Sequence, residues 1–503
     1  MEKKGQIKFG AIITYISNIS NIAITVILTP LIIRLVGQSE YGLYSLVSSL
    51  MAYFSVLDFG FGNAMIRYVS KFRTQKKDDK NINSLFFIIY SIIGILTLII
   101  GIIVYFNLSN IFGQSLTDVE LQKANVMMLI FLIGTAISFP LSVFDSYVLA
   151  NERFIFLKFI NLLRILLYPV IIIPLLIVGY KAIAIVIVYT VLNLLMHITY
   201  ALYSLIKLKM KLTLKIKNID FSIFKEIIMY SFFVFLNIIV DTVFNNTDQV
   251  ILGIVSGTTA VAIYSTANQI KNANNLFSTA ISGLFLPRIT KLLTLGKKEE
   301  IDDVFINVSK IQLYIMLLVL SGFYIFGRKF ITLWVGIDYI DAYYITLWLI
   351  GFSIVPLTQN LGISVLQAMN KHKFRAIMYI IIAIINIGIS IPLAKVYQGV
   401  GVAIGSAIAN LLGQCITMNI YYYKVAKLDI PTYWKNFIKI CIPVFIFSII
   451  ITPIINYLCI NSWIKLIISI AIYTMIYIIY IYIVHLNKEE KEYISKKIKR
   501  KII

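Results

Sequence analysis

The chain has 503 residues, of which 59% are hydrophobic and only 14% charged, and its formal net charge is +22. A soluble domain carries about 45–50% apolar and about 25% charged residues, so one water-exposed globule cannot bury this much apolar side chain. The composition excludes a soluble enzyme and specifies a polytopic, all-α membrane protein.

Fourteen predicted spans follow one another, each an apolar run long enough to cross a bilayer as a helix, for which about 20 residues suffice. They lie at 9–35, 42–70, 84–106, 124–150, 157–178, 182–206, 223–253, 258–293, 303–327, 342–369, 376–397, 401–425, 435–457 and 463–486. The opening "MEKKGQIKFG" runs directly into the first span without the small-residue site of a cleavable signal peptide. In span one, Thr14, Asn18, Asn21 and Thr25 recur at three or four residues and share a helical face. Asn18 and Asn21 there are candidates for a cavity wall, with helix–helix hydrogen bonding as the alternative.

Span two carries Asp58, followed by Gly60 and Gly62, which permit close approach or a bend. Span five carries Arg164, span seven Asp241 and Asp248, and span eight Lys271. Asp241 and Asp248 stand seven residues apart, on one face. Asp241 and Lys271 are expected at similar depth on consecutive spans, close enough to pair; a purely structural bridge is the alternative. Ionisable groups at bilayer depth are costly and face a cavity or a partner. Arg34, Arg67, Asp145 and Arg288 lie near span ends, where snorkelling to the headgroups is the favoured reading.

The basic residues set the topology. About 36 of the 45 Lys and Arg residues fall on one side, in segments such as "KFRTQKKDDK", "KLKMKLTLKIK" and the tail "KKIKRK", and about seven on the other. The positive-inside rule then places both termini in the cytoplasm. The charge of +22 is thus a topology signal, and with no basic soluble domain to carry nucleic acid, none is expected as a partner. The outer loops are too short to form a domain.

A repeat is visible at a shift of about 220 residues: "IRLVGQSEYGLYS" lies over "GIVSGTTAVAIYS", so Gly37 meets Gly257, Tyr44 meets Tyr264 and Ser45 meets Ser265. The expected organisation is two six-helix lobes related by a pseudo-two-fold axis, 1–210 and 211–430, with spans thirteen and fourteen and a basic cytoplasmic tail over 431–503. Duplication around a cleft suits alternating access. The histidines (His197, His372, His485) and cysteines (Cys415, Cys441, Cys459) show no ligand spacing, so no metal, cofactor or disulfide framework is expected. No phosphate-binding glycine loop supports ATP hydrolysis.

The segment Leu28 to Arg73, "LTPLIIRLVGQSEYGLYSLVSSLMAYFSVLDFGFGNAMIRYVSKFR", closely resembles the opening of the bacterial polysaccharide flippases. These are O-antigen or repeat-unit transporters of the multidrug/oligosaccharidyl-lipid/polysaccharide exporter superfamily. "TDQVILGIVSGTTAVAIYSTANQI" resembles the start of that family's second lobe, and "LANERF" its fourth-helix end. The resemblance implies transfer of undecaprenyl-pyrophosphate-linked oligosaccharide across the bacterial cytoplasmic membrane by alternating access; with ATP hydrolysis unsupported, an ion gradient or the substrate gradient is the expected energy source, and no enzymatic chemistry is expected. It also implies a cationic cavity for the pyrophosphate and a lipid-tail path along spans thirteen and fourteen, where "CIPVFIFSIIITPIINYLCI" is suitably apolar.

Lys271, Arg164, Arg34 and Arg67 are the candidate cationic lining, and Asp241, Asp248 and Asp58 the candidate ion-coupling groups. Asp58 sits in the family-like "LDFGFG" motif, where packing at a bend is the competing role. Expected partners are the lipid-linked oligosaccharide, membrane lipids, and the glycan polymerase and glycosyltransferases of the same pathway. The alternatives are a lipid II flippase, a cation-coupled small-molecule antiporter of the same superfamily, and a membrane glycan polymerase or ligase.

Overall fold

The computed structural model describes residues 3–76, 78–213, 221–282, 285–369, 371, 373–457, 460–486 and 491. Cys459, His372 and most of the basic tail lie outside the described residues. Every regular element among the described residues is helical, as a bilayer demands, because a helix satisfies its own backbone hydrogen bonds in hydrocarbon. The chain is therefore a multi-pass membrane protein.

Its packing falls into two compact units, Met1–Ser265 with Ala394–Gln398, and Thr266–Leu393 with Gly399–Ile503. The first contains α1 (Lys3–Val36), α2 (Gln38–Phe54), α3 (Phe61–Thr74), α4 (Lys80–Phe112), α5 (Asp118–Ala150), α6 (Phe154–Ile177), α7 (Ala182–Leu202), α8 (Phe221–Val255) and the start of α9 (Gly257–Ser282). The α5 helix packs on α4 and α7, and α1 on α6. A core of Met65, Phe86, Tyr90, Val143, Phe144 and Tyr200 joins α3, α4, α5 and α7.

The start of α5 is written in its sequence. Thr117 and Glu120 form a reciprocal capping box, each side chain bonded to the other's backbone N–H. Glu120 has a second task. Its Oε1 accepts from Ser39 Oγ at 2.6 Å and from Thr258 Oγ1 at 2.7 Å. One carboxylate thus ties the first turns of α2 and α9 to α5. Lys123 of α5 pairs with Glu40 beside it.

The α8 helix packs against α2 and α3. Tyr53 and Thr247 share a hydrogen bond at 2.6 Å, and Ser49 donates to Gln249. This is why the packing boundary falls at Ser265, after α8, and not at the 210/211 boundary expected from the sequence repeat.

The second unit holds the rest of α9 and α10 (Leu286–Thr294), α11 (Lys298–Trp334), α12 (Asp341–Thr358), α13 (Asn360–Ala368), α14 (Lys373–Asn410), α15 (Met418–Tyr421), α16 (Ile430–Tyr457) and α17 (Trp463–Val484). On α17, Leu466, Tyr473, Tyr477 and Ile481 are buried at helical spacing against α11 and α16, while Ile467, Ile472, Ile479 and Ile483 are more than half exposed. That outward face is a lipid-contact surface.

Twelve helices among the described residues are long and apolar enough to cross a membrane, against the fourteen spans expected. Two features account for the difference. Ile377–Ala426 counts once, yet the chain breaks inside it at Gln398, whose φ of 48° and ψ of −128° are not helical. The α9 helix has 26 residues but carries Asn268, Gln269, Lys271, Asn272, Asn274 and Asn275, which lower its apolarity.

Candidate functional site

The break in span two is the first feature that the sequence foreshadowed. Between α2 and α3, Phe59 and Gly60 both adopt left-handed backbone, with φ of 49° and 77°. Glycine tolerates this, and phenylalanine does so at a cost. Asp58 holds the break: Tyr90 of α4 donates to its Oδ1, and the backbone N–H groups of Gly60 and Gly62 donate to its carboxylate. It therefore satisfies donors that the start of α3 leaves open.

Asp58→Ala is expected to cost about 1–3 kcal/mol by stranding those donors, read as a lower thermal midpoint in detergent. Asp58→Asn, which keeps an acceptor oxygen, should lose less. Equal midpoints for the alanine variant and the wild type would remove the capping role.

Arg164 lies ten residues into α6, about 15 Å along its axis at 1.5 Å per residue. Its guanidinium stands 5.8 Å from the Tyr189 ring centroid on α7, and Nη2 donates to Asn161 Oδ1 at 3.4 Å. Its Nε is buried without a hydrogen-bond partner, and it forms no ion pair among the described residues. A guanidinium at this depth, with donors to spare and an aromatic face beside it, suits an anion with several oxygens.

Asp145 departs from the snorkelling expected of it. Its Oδ2 is 2.7 Å from Nδ1 of His197, with side-chain exposures of 25% and 12%. The partners come from α5 and α7, and proximity to a helix end does not free the carboxylate for the headgroups when a neighbouring helix supplies an imidazole. Tyr200, one turn beyond His197, lies within electrostatic reach of both Asp145 and Arg164. Tyr90 lies within reach of both Asp58 and Asp145. In the first unit Tyr90 is bonded to Asp58 and His197 meets Asp145, with Tyr200 bonded to the Leu157 carbonyl of α6.

The other expected residues are dispersed. Asp248 is buried and accepts from Tyr264, while Asp241, although on the same helical face, is exposed. Their environments differ because α2 covers one end of α8 and not the other. Lys271 is half-buried on the part of α9 in the second unit. Arg67 is exposed and lies 4.8 Å from the Tyr230 ring centroid. Arg34 and Arg288 are exposed at helix ends. Asn18 and Asn21 are exposed on α1, whereas Ser17 is buried.

In the second unit, α11, α12 and α16 line a half-open apolar pocket of about 480 Å³. Leu320, Tyr324, Leu347, Phe437, Cys441 and Phe445 contribute to its walls.

Comparison with known proteins gives a consistent picture. Residues 7–293 match the model of a family described as polysaccharide biosynthesis protein. A curated relative from Haloferax volcanii, "Probable low-salt glycan biosynthesis flippase Agl15", is 21% identical over 199 residues. The match covers 40% of this chain and only 42% of that relative's length. Among solved structures, "Lipid II flippase MurJ, inward closed conformation" superposes with a TM-score of 0.72 at 18% identity, covering 94% of this chain and 97% of the other. An inward-facing multidrug resistance transporter of the MATE family, in the MOP superfamily, gives a TM-score of 0.61 at 14% identity, covering 80% and 98%. At these identities the likeness concerns the fold.

Proposed function

The chain belongs to the polysaccharide biosynthesis protein family, and from that premise we propose that it moves a polyprenyl-diphosphate-linked oligosaccharide across a cytoplasmic membrane by alternating access. The observation that carries this reading is Arg164, a guanidinium deep in an apolar helix, beside Tyr189 and without a carboxylate counter-ion among the described residues. A permanent cation at membrane depth is costly unless something negative offsets it, and a diphosphate does so with matched oxygen geometry. Arg67 and Lys271 are proposed to extend the cationic path, and Arg34 to meet the headgroup at the other end of α1. The apolar cavity of the second unit is proposed to accommodate part of the polyprenyl tail.

Asp241 and Asp248 are proposed to respond to a coupling ion. Both termini are proposed to lie in the cytoplasm, and pathway enzymes to hand over the substrate. The lobe division at 1–210, 211–430 and 431–503 is proposed as the trace of duplication. The Haloferax relative's name as a probable flippase supports the transport reading.

The test is transfer of fluorescent polyprenyl-diphosphate glycans in proteoliposomes. Movement of the lipid-linked glycan between leaflets is expected. Export of small cations with the lipid left in place would favour an antiporter, and formation of polymer would favour a polymerase.

A further inference from the structure

We propose that the Asp145–His197 pair is a proton-binding site whose occupancy is linked to anion binding at Arg164. The inference rests on the transport reading above and deepens it by giving the anion site a titrating partner.

The pair is built from two helices. Asp145 stands five residues before the end of α5, about 7.5 Å along its axis, and His197 stands ten residues before the end of the continuous helical span Ala182–Lys207. Asp145 Oδ2 lies 2.7 Å from His197 Nδ1, and both Asp145 Oδ1 and His197 Nδ1 are buried without a well-aligned hydrogen bond. A fully ionised carboxylate with one oxygen stripped of water and partner is held at a cost, which a shared proton relieves. The modest remaining exposure of both side chains gives that proton an entry path.

The groups facing the pair come from three directions. Tyr90 of α4 is tied in turn to Asp58 at the α2–α3 break. Tyr200 of α7 donates to the Leu157 carbonyl of α6 at 3.0 Å. Arg164 of α6 lies 5.8 Å from the ring of Tyr189 on α7, the helix that carries His197, and like Asp145 it is within electrostatic reach of Tyr200. Proton and anion therefore act on a common electrostatic neighbourhood.

The sign follows from charge. A proton on the pair makes the surroundings of Arg164 more positive, so it strengthens diphosphate binding. By reciprocity, diphosphate binding draws a proton onto the pair. The Arg164 site thus takes its anion partly neutralised, which lowers the charge carried through a low-dielectric interior.

The experiment uses the full chain in nanodiscs and a farnesyl-diphosphate-linked monosaccharide, whose diester does not titrate near neutrality. Calorimetry in two buffers of different ionisation enthalpy counts protons taken up on binding. The wild type should take up protons on binding the lipid-linked sugar and bind about tenfold more tightly at pH 6 than at pH 8, within the usual range of coupling between sites. His197→Gln and Asp145→Asn should each abolish the uptake, and the double variant should add nothing to either single change.

Uptake that persists in His197→Gln, or wild-type binding without uptake, would overturn the proton site and leave the transport reading standing. A folded wild type that does not bind the lipid-linked sugar at all would overturn both.

Discussion

Replacing Arg164 with alanine is expected to lower the rate of the proposed lipid-linked glycan transfer about thirtyfold or more. The figure follows from a loss of about 2–5 kcal/mol when one member of a desolvated charge pair is removed, with about 1.4 kcal/mol per factor of ten. The folded protein should survive the change, because Arg164 forms no ion pair among the described residues and contributes one long hydrogen bond, to Asn161 at 3.4 Å. Arg164→Lys should recover only part of the rate, since an ammonium lacks the planar fork that meets two phosphate oxygens together. Lys271→Ala is expected to have the same sign and a smaller effect, from a position only half-buried. The check is a proteoliposome transfer assay normalised to monodisperse protein. Wild-type rates in Arg164→Ala would remove the guanidinium from the transport path.

The second large effect concerns packing. A Cβ added at Gly42 would lie 1.9 Å from the Thr258 carbonyl oxygen and 2.7 Å from its carbonyl carbon. Both are backbone atoms, so no rotamer change relieves the clash. Gly42→Ala must push α2 away from the start of α9 and disturb the Glu120 bonds to Ser39 and Thr258. Overpacking of this kind costs about 1–3 kcal/mol, and a branched side chain costs more. A thermal melt in detergent should show Gly42→Ala below wild type and Gly42→Val lower still. Gly351, with nothing within 4 Å of an added Cβ, is the control. An unchanged midpoint for Gly42→Val would contradict the close approach.

The fold was legible because the bilayer imposes a simple code. Apolar runs had to be helices, because only a helix or a closed barrel satisfies its backbone in hydrocarbon. The span-two bend was readable from Gly60 and Gly62. The left-handed Phe59 was not, because the strain of a single residue leaves no compositional trace. Two of the elements that depart from the apolar code, α9 with its asparagines and α14 with its break at Gln398, are where an apolarity count and the expected span count part.

The site was legible only in part. Arg164 stood out because a lone cation in "NLLRILLYPV" has no local explanation. Its histidine–aspartate neighbour was hidden: Asp145 and His197 are 52 residues apart in sequence, on helices that meet only through packing, and no motif spacing encodes that. Asp241 and Asp248 show the converse. Helical periodicity placed them on one face, but whether that face is covered depends on where α2 ends, which periodicity does not contain. Glu120 was readable as a cap through "TDVE". Its bonds to Ser39 and Thr258 required knowing that three turns distant in sequence meet.

The most direct measurement is an experimental structure of the protein bound to a polyprenyl-diphosphate glycan. Density for the diphosphate is expected within hydrogen-bonding distance of the Arg164 guanidinium, beside Tyr189. A diphosphate seated elsewhere, with Arg164 still packed on Tyr189 and Asn161 in dry protein, would contradict the account.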